Sequence, residues 1–155
     1  MSVFHHAKEY ISNQSRYGFL NAFISLHDRA IILARAEAAE KTFLPGAYRI
    51  PRNDVRGRLI GIKDNICTAD LPTTAASGIL ENFTSPYDAT VVKQLHDAGA
   101  IIAGKTNMDE FGMGSHSTHS YFGAVEFSRH EGEQLSAGGS SGGSAVAVAT
   151  GQCWA

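Results

Sequence analysis

Cysteine is scarce in this sequence. Cys67 and Cys153 are the only two in 155 residues, they stand far apart, and neither belongs to a C-x-x-C pair. That argues against a disulfide scaffold or a thiolate metal site and favours two small buried apolar thiols. Such usage fits a reducing compartment without proving one. Charge is thin as well: 18% of residues are charged and the formal net charge is −2, with seven histidines that add a little positive charge only below neutral pH. The clustered Lys and Arg of a nucleic-acid grip are missing, so any contact with RNA is expected to come from a partner chain. No apolar run reaches the length of a membrane span. The start, MSVFHHAKEY, has neither the apolar core of a secretion signal nor the Arg-rich, acid-poor character of a mitochondrial presequence, so location cannot be read from it.

What is present is 43% hydrophobic residues, which reads as globular and is enough for one ordinary domain with its own core. Neither an internal repeat nor a linker interrupts residues 1–155, and a single domain is expected. Residues Val3 to Gln14 suit a short helix, with a turn near Gly18 and a strand over Asn21 to Leu26. Asp28 stands at an N-cap position ahead of an Ala-rich helix, Arg29 to Lys41. That helix has Ile31, Ile32, Leu33, Ala34, Ala38 and Ala39 to bury, with Arg35, Glu37 and Glu40 left for solvent. Pro45 to Arg56 reads as a loop. Leu59 to Ile62 suits a buried strand with Lys63, Asp64 and Asn65 at its C-terminal end. Asp88 can cap a helix from Ala89 to Ala98 with Val91, Val92 and Leu95 inward, and Gly99 closes it ahead of a buried strand at Ile101 to Ala103. Helix, glycine and strand in that order are typical of α/β folds. Gly112 to Gly123 is a polar loop, Arg129 to Ser136 a charged surface loop, and Gly138 to Gly143 a glycine-serine loop leading into a helix from about Ser144. The stretch from Ser144 to Ala155 is small and apolar, reads as a core element and has no polar tail, so the chain is expected to be a fragment.

Two places could carry chemistry. A lysine ending an apolar strand is desolvated, which disfavours its charged form and can lower its pKa far enough for Lys63 to act as a general base. The competing reading is a lysine that snorkels to solvent or pairs with Asp64, and this stretch taken alone favours the plainer one. In Ala137-Gly-Gly-Ser-Ser-Gly-Gly-Ser-Ala145 four glycines let the backbone approach a ligand closely, and three serines offer donors, acceptors or nucleophiles. A flexible Gly/Ser linker is the alternative, weakened because an apolar segment follows at once. The G-x-x-x-x-G spacing of a P-loop lacks its lysine here. The G-x-S-x-G pattern lacks any Asp, Glu or His after Ser141, as a nucleophile elbow would require. His116 and His119, with Asp109 and Glu110 nearby in sequence, make only a weak metal candidate, and no metal site is expected.

Taken together, Gly61-Ile-Lys63-Asp-Asn65, the block from Lys105 to Ser115 and Gly138-Gly-Ser-Ser-Gly-Gly-Ser144 resemble the amidase signature family, with Lys63 and Ser140 77 residues apart. The resemblance covers about Leu20 to Ala155. It implies an α/β/α sandwich with a mixed central sheet, incomplete in this chain, with exposed sheet edges and apolar faces and hence poor solubility in isolation. It also implies a Ser-cisSer-Lys triad. Lys63 would be the base and Ser140 the bridging serine, whose preceding peptide with Gly139 is cis. The nucleophilic serine would lie roughly two dozen residues beyond Ser140, past Ala155. Gly114, Ser115, Gly138, Gly139 and Ser141 become substrate-loop candidates.

Within that family the Lys105 to Ser115 block, Thr73 to Leu80 and Asp88 to Val92 are similar to the A subunits of glutamyl-tRNA(Gln) amidotransferases, with an organellar, fungal-type flavour. That resemblance implies glutamine hydrolysis and ammonia delivery to a B-type subunit, which converts Glu-tRNA(Gln) to Gln-tRNA(Gln) with ATP and Mg. A small C- or F-type subunit would complete the assembly, with no cofactor in this chain and no membrane contact. Location would be the mitochondrial matrix, or the cytoplasm for a bacterial protein. The chain alone is expected to be inactive. A general small-amide amidase and a non-catalytic, partner-binding remnant are the alternatives.

Overall fold

The computed structural model describes residues 2–43, 54–127, 133 and 135–155. The loop expected from Pro45 lies largely outside these residues, as does most of the charged loop from Arg129.

A three-stranded mixed sheet organises the chain. Strand β3 (Ile101–Thr106) lies at its centre, antiparallel to β1 (Phe23–Leu26) and parallel to β2 (Leu59–Lys63). Parallel neighbours need a crossover, and α3 (Thr90–Asp97) lies within the one that joins β2 to β3. Both strands are apolar on alternate positions of both faces, so the sheet must be covered twice. On one face Leu59, Ile101 and Ala103 pack with Val3, Ala7 and Ile11 of α1 (Val3–Arg16), Ile32 and Ala36 of α2 (Arg29–Glu40), and Val146 and Ala147 of α4 (Gly142–Ala149). On the other, Ile60, Ile62 and Ile102 pack against Val92 of α3, with Trp154 beside them. The architecture is the α/β type with a mixed sheet that the sequence implies. A separate two-stranded ribbon pairs β4 (Glu126–Phe127) with β5 (Leu135–Ser136), so the end of the expected surface loop is a strand.

Several local expectations need correction. The N-cap of α2 is Asp28, whose carboxylate accepts the Ala30 N–H at 2.7 Å. The inward face of α2, however, is Ile32 and Ala36 with Leu33 and Ala39 partly covered, whereas Ile31, Ala34 and Ala38 are exposed. Four consecutive residues sweep a full turn of helix, so they cannot all face one sheet. Arg35 and Glu40 are half-buried rather than free in solvent, and Glu40 accepts the Phe4 N–H from α1. Asp88 does not cap α3. It accepts the Ala69 N–H at 2.8 Å, and Ala89 occupies the cap position. Val91 is exposed while Val92 is fully buried. Strand β3 runs three residues past Ala103 because Lys105 finds a buried partner there, and α4 begins at Gly142 rather than Ser144.

The edge of β2 is also less bare than expected. The Trp154 N–H donates to the Leu59 carbonyl and the Gly61 N–H to the Ala155 carbonyl, so the last residues lie along it. Exposed apolar side chains do occur, led by Ile79, Met113 and Phe19 at 83%, 79% and 69% exposure. Among the described residues, no helix is long and apolar enough to cross a membrane.

Candidate active site

The C-terminal ends of two parallel strands place β2 and β3 side by side, with Lys63 in register with Thr106 and Ile62 with Lys105. Crevices outside the carboxyl ends of such strands are the usual ligand sites of open α/β sheets. Three loops converge there: 64–76 after β2, 107–119 after β3, and the glycine-serine loop ahead of α4.

Asp64 organises the first loop. Its side chain is fully buried, and its Oδ2 accepts the N–H groups of Thr74 (3.0 Å) and Ala76 (3.2 Å) and the Thr74 hydroxyl. Its Oδ1 faces the Lys105 ammonium at 3.4 Å. Lys105 is equally buried and donates to Thr73 Oγ1 (2.8 Å) and the Pro72 carbonyl (3.2 Å). Burial pushes the Lys105 pKa down, and the Asp64 carboxylate opposes that. The suggested Lys63–Asp64 pair is therefore not formed, because Asp64 is committed to Lys105.

Lys63 instead reaches the glycine-serine loop. Its Nζ lies 2.7 Å from Ser140 Oγ and 2.7 Å from Ser141 Oγ. The side chain is half-buried, and desolvation lowers its pKa from the ordinary lysine value, with the negative charge of Asp109 opposing. The Gly139–Ser140 peptide is cis, as the resemblance implies. The loop is fastened to the 107–119 segment by three hydrogen bonds. The Asp109 N–H donates to the Ser140 carbonyl (3.3 Å), the Gly142 N–H to Ser117 Oγ (2.9 Å) and the Gly143 N–H to the Asn107 carbonyl (3.1 Å). A β-carbon on Gly143 would stand 2.3 Å from that carbonyl oxygen, so only glycine allows the approach. Ser144 is turned elsewhere, with its hydroxyl 2.7 Å from that of Thr106.

The substrate-loop candidates are thus brought into one neighbourhood. Gly114 and Gly139 both lie against the Asp109 side chain, the Ser115 backbone packs beside Gly139, and Ser141 shares Lys63 with Ser140. Gly138 sits just outside, at φ +75° with open space where a β-carbon would stand. The histidines do not converge: His119 Nδ1 stands 3.7 Å from Asp109, whereas His116 faces Ser136. Among the described residues, no three His, Cys, Asp or Glu side chains are arranged to hold a metal ion. The linker reading of the loop also fails, since its backbone is anchored at three points.

Sequence reasoning about single residues gave no role to Lys105, Asn107 and Ser117, and raised Asp109 only as a neighbour of a weak metal candidate. All four are completely buried polar groups in the segment that follows the apolar part of β3. Their density in one stretch was the available signal.

Residues 19–155 match the sequence profile of the family described as Amidase. The chain belongs to the amidase family. It is 53% identical over 157 aligned positions to the A subunit of the mitochondrial glutamyl-tRNA(Gln) amidotransferase of Coccidioides posadasii, covering 100% of this chain and 31% of that protein. The corresponding protein of Tuber melanosporum is 49% identical, again across 100% of this chain and 32% of the relative. This amidase chain therefore spans about a third of the length of the curated relatives it matches. Among solved structures, the native peptide amidase from Stenotrophomonas maltophilia superposes with a TM-score of 0.80 at 31% identity, over 99% of this chain and 32% of that one. The A subunit of the Thermotoga maritima glutamyl-tRNA(Gln) amidotransferase gives a TM-score of 0.69 at 30% identity, over 99% and 32%.

Proposed function

We propose that this chain carries the proton-transfer half of an amidase active site within the A subunit of a glutamyl-tRNA(Gln) amidotransferase, and that the amide is that of glutamine. The observation that carries the reading is the 2.7 Å contact between Lys63 Nζ and Ser140 Oγ. A neutral Lys63 accepts the Ser140 hydroxyl proton, and Ser140 Oγ takes the proton of a nucleophilic serine. That serine is the one the resemblance places beyond Ala155. Its oxygen forms a bond to the amide carbon, the C–N bond breaks, and the amine leaves as ammonia with a returned proton. Water then releases glutamate from the acyl-enzyme. Ser141, equally close to Lys63, is suited to hold the amine in place rather than to attack.

The names of the relatives, A subunits of glutamyl-tRNA(Gln) amidotransferases, support a multi-subunit setting. Within it our reading assigns a B-type subunit, with a small C- or F-type companion, that uses ammonia, ATP and Mg to form Gln-tRNA(Gln) from Glu-tRNA(Gln). The names also favour a mitochondrial location, and the matrix is the compartment this reading assigns. The test is ammonia release from glutamine by the full-length protein with its partner subunits. Ser140→Ala is expected to reduce kcat by about a thousandfold or more, and retention of wild-type turnover would sink the reading.

A second reading is hydrolysis of other small amides, favoured by the peptide amidase TM-score of 0.80 against 0.69 for the bacterial amidotransferase chain. Comparing kcat/KM for glutamine with that for peptide C-terminal amides separates the two.

A further inference from the structure

Asp109 is the buried acid that the proton-transfer scheme leaves without a task. Its side chain has no solvent exposure, and Oδ2 accepts the Ser117 N–H at 2.9 Å while Oδ1 accepts the His119 N–H at 3.2 Å. Burial pushes its carboxyl up. The N–H groups of Ser117, His119 and Thr118, with the His119 ring, outweigh this and hold it below the usual aspartate range, so it is an anion. Two glycines record how tightly it is enclosed. A β-carbon on Gly114 would stand 2.3 Å from Asp109 Cγ, and one on Gly139 would stand 2.4 Å from Asp109 Oδ2. The Asp109 main chain meanwhile donates to the Ser140 carbonyl at 3.3 Å. One residue therefore holds the 114–119 loop through its carboxylate and the Gly139–Ser140 segment through its N–H.

The same residue acts on Lys63. Asp64, the nearest carboxylate in sequence, is spent on Lys105, and the glycine-serine loop brings Lys63 only the hydroxyls of Ser140 and Ser141. Asp109 is the charge that opposes the desolvation of Lys63. On the side of Asp109, the titratable group contributed by the 114–119 loop is His119, 3.7 Å away.

We propose that Asp109 is a positioning residue for the Lys63–Ser140 pair: its main-chain N–H on the Ser140 carbonyl and its buried carboxylate against Gly139 hold Ser140 under the lysine and place a negative charge next to the segment that Lys63 contacts. The proposal rests on the reading of Lys63 as the base. A carboxylate that served only to fold the loop would affect stability and leave the titration of Lys63 where it was.

The test uses the full-length protein with its partner subunits. Competitive acylation of Lys63 across pH, read by mass spectrometry, gives the titration of the amine. The pH profile of kcat/KM for glutamine hydrolysis gives its functional counterpart. In Asp109→Asn both curves are expected to move together to lower pH by about one unit, with the high-pH plateau reduced at least tenfold. Asp109→Glu, which keeps the charge and loses the fit, is expected to leave the titration in place and still lower the plateau. An unmoved Lys63 titration in folded Asp109→Asn, or an unchanged plateau in either variant, overturns the proposal. Should Asp109→Asn not fold, Gly114→Ala displaces the carboxylate instead, and wild-type titration and plateau together in that variant overturn it equally. Full hydrolysis by Lys63→Ala would remove the base reading itself. An essential Lys63 whose titration ignores Asp109 would remove only the role assigned to Asp109.

Discussion

The ammonium of Lys105 stands 3.4 Å from the carboxylate of Asp64, and neither side chain reaches solvent. The pair ties the C-terminal end of β3 to the loop after β2; Lys105 also bonds Thr73 and Pro72, and Asp64 accepts from the backbone of Thr74 and Ala76. Lys63, one residue before Asp64, is thereby left without a carboxylate partner from its own strand and meets two serine hydroxyls instead.

Removing one member of that pair leaves the other charge buried and uncompensated. Lys105→Met is expected to destabilise the fold by about 4 kcal/mol, measured as a lower urea midpoint with an unchanged slope. A loss no larger than that of an exposed lysine substitution would mean the pair is hydrated in solution.

The direction of the Lys63 shift fixes the sign of a pH dependence. In the proposed mechanism Lys63 is the base and acts when neutral, and its pKa lies below the ordinary 10.5 because burial disfavours the ammonium. The kcat/KM of the full-length protein for an amide is therefore expected to rise with pH and to level off below that ordinary lysine value. Lys63→Arg, which stays protonated, should abolish the plateau rather than shift it. A rate that fell with increasing pH across this range would contradict a neutral-lysine base.

Two glycines of the same loop are expected to respond differently to an added methyl group. At Gly143 the β-carbon would stand 2.3 Å from the Asn107 carbonyl oxygen and 2.6 Å from that of Ala22, both main-chain atoms that cannot step aside. Gly143→Ala should cost about 3 kcal/mol. Gly138 has φ +75° with open space around it, so Gly138→Ala carries only the backbone penalty, about 1 kcal/mol. Thermal denaturation of the two variants gives the order, and equal losses would show that the loop does not lie against Asn107.

Thiol labelling tests the burial of the C-terminal segment. Desolvation pushes the Cys153 thiol up to about 11, partly offset by the Gly61 N–H, whereas Cys67 is half-exposed. At pH 8 only about one Cys153 in a thousand is thiolate. Native protein should be modified at Cys67 first, and at Cys153 only on unfolding. Early modification of Cys153 would mean that residues 152–155 do not stay on β2.

Local signals made much of the fold legible. Asp28 before an Ala-rich run caps α2, the apolar runs around Ile60 and Ile102 are buried strands, Gly99 ends the segment carrying α3, and the glycine-serine stretch precedes a helix. Each depends on residues within a few positions of one another, where propensity and periodicity act. The helix faces were less legible, because Ala and Ile at successive positions leave the buried stripe undetermined until the sheet beneath it is known.

By itself, then, the sequence determined the kinds of element, their order, and the presence of a lysine at a strand end and of serines among glycines. Only the tertiary structure decided which charges and hydroxyls meet. The meeting of Ser140 with Lys63, 77 residues away, is implied by the family resemblance and by no pattern along the chain. Asp64 turns to Lys105 and Asp109 closes beneath Gly139 without any such signal. Those pairings follow from the parallel register of β2 with β3 and from three loops converging at its C-terminal edge. Contacts between residues so far apart in the chain leave no periodicity along the sequence to read.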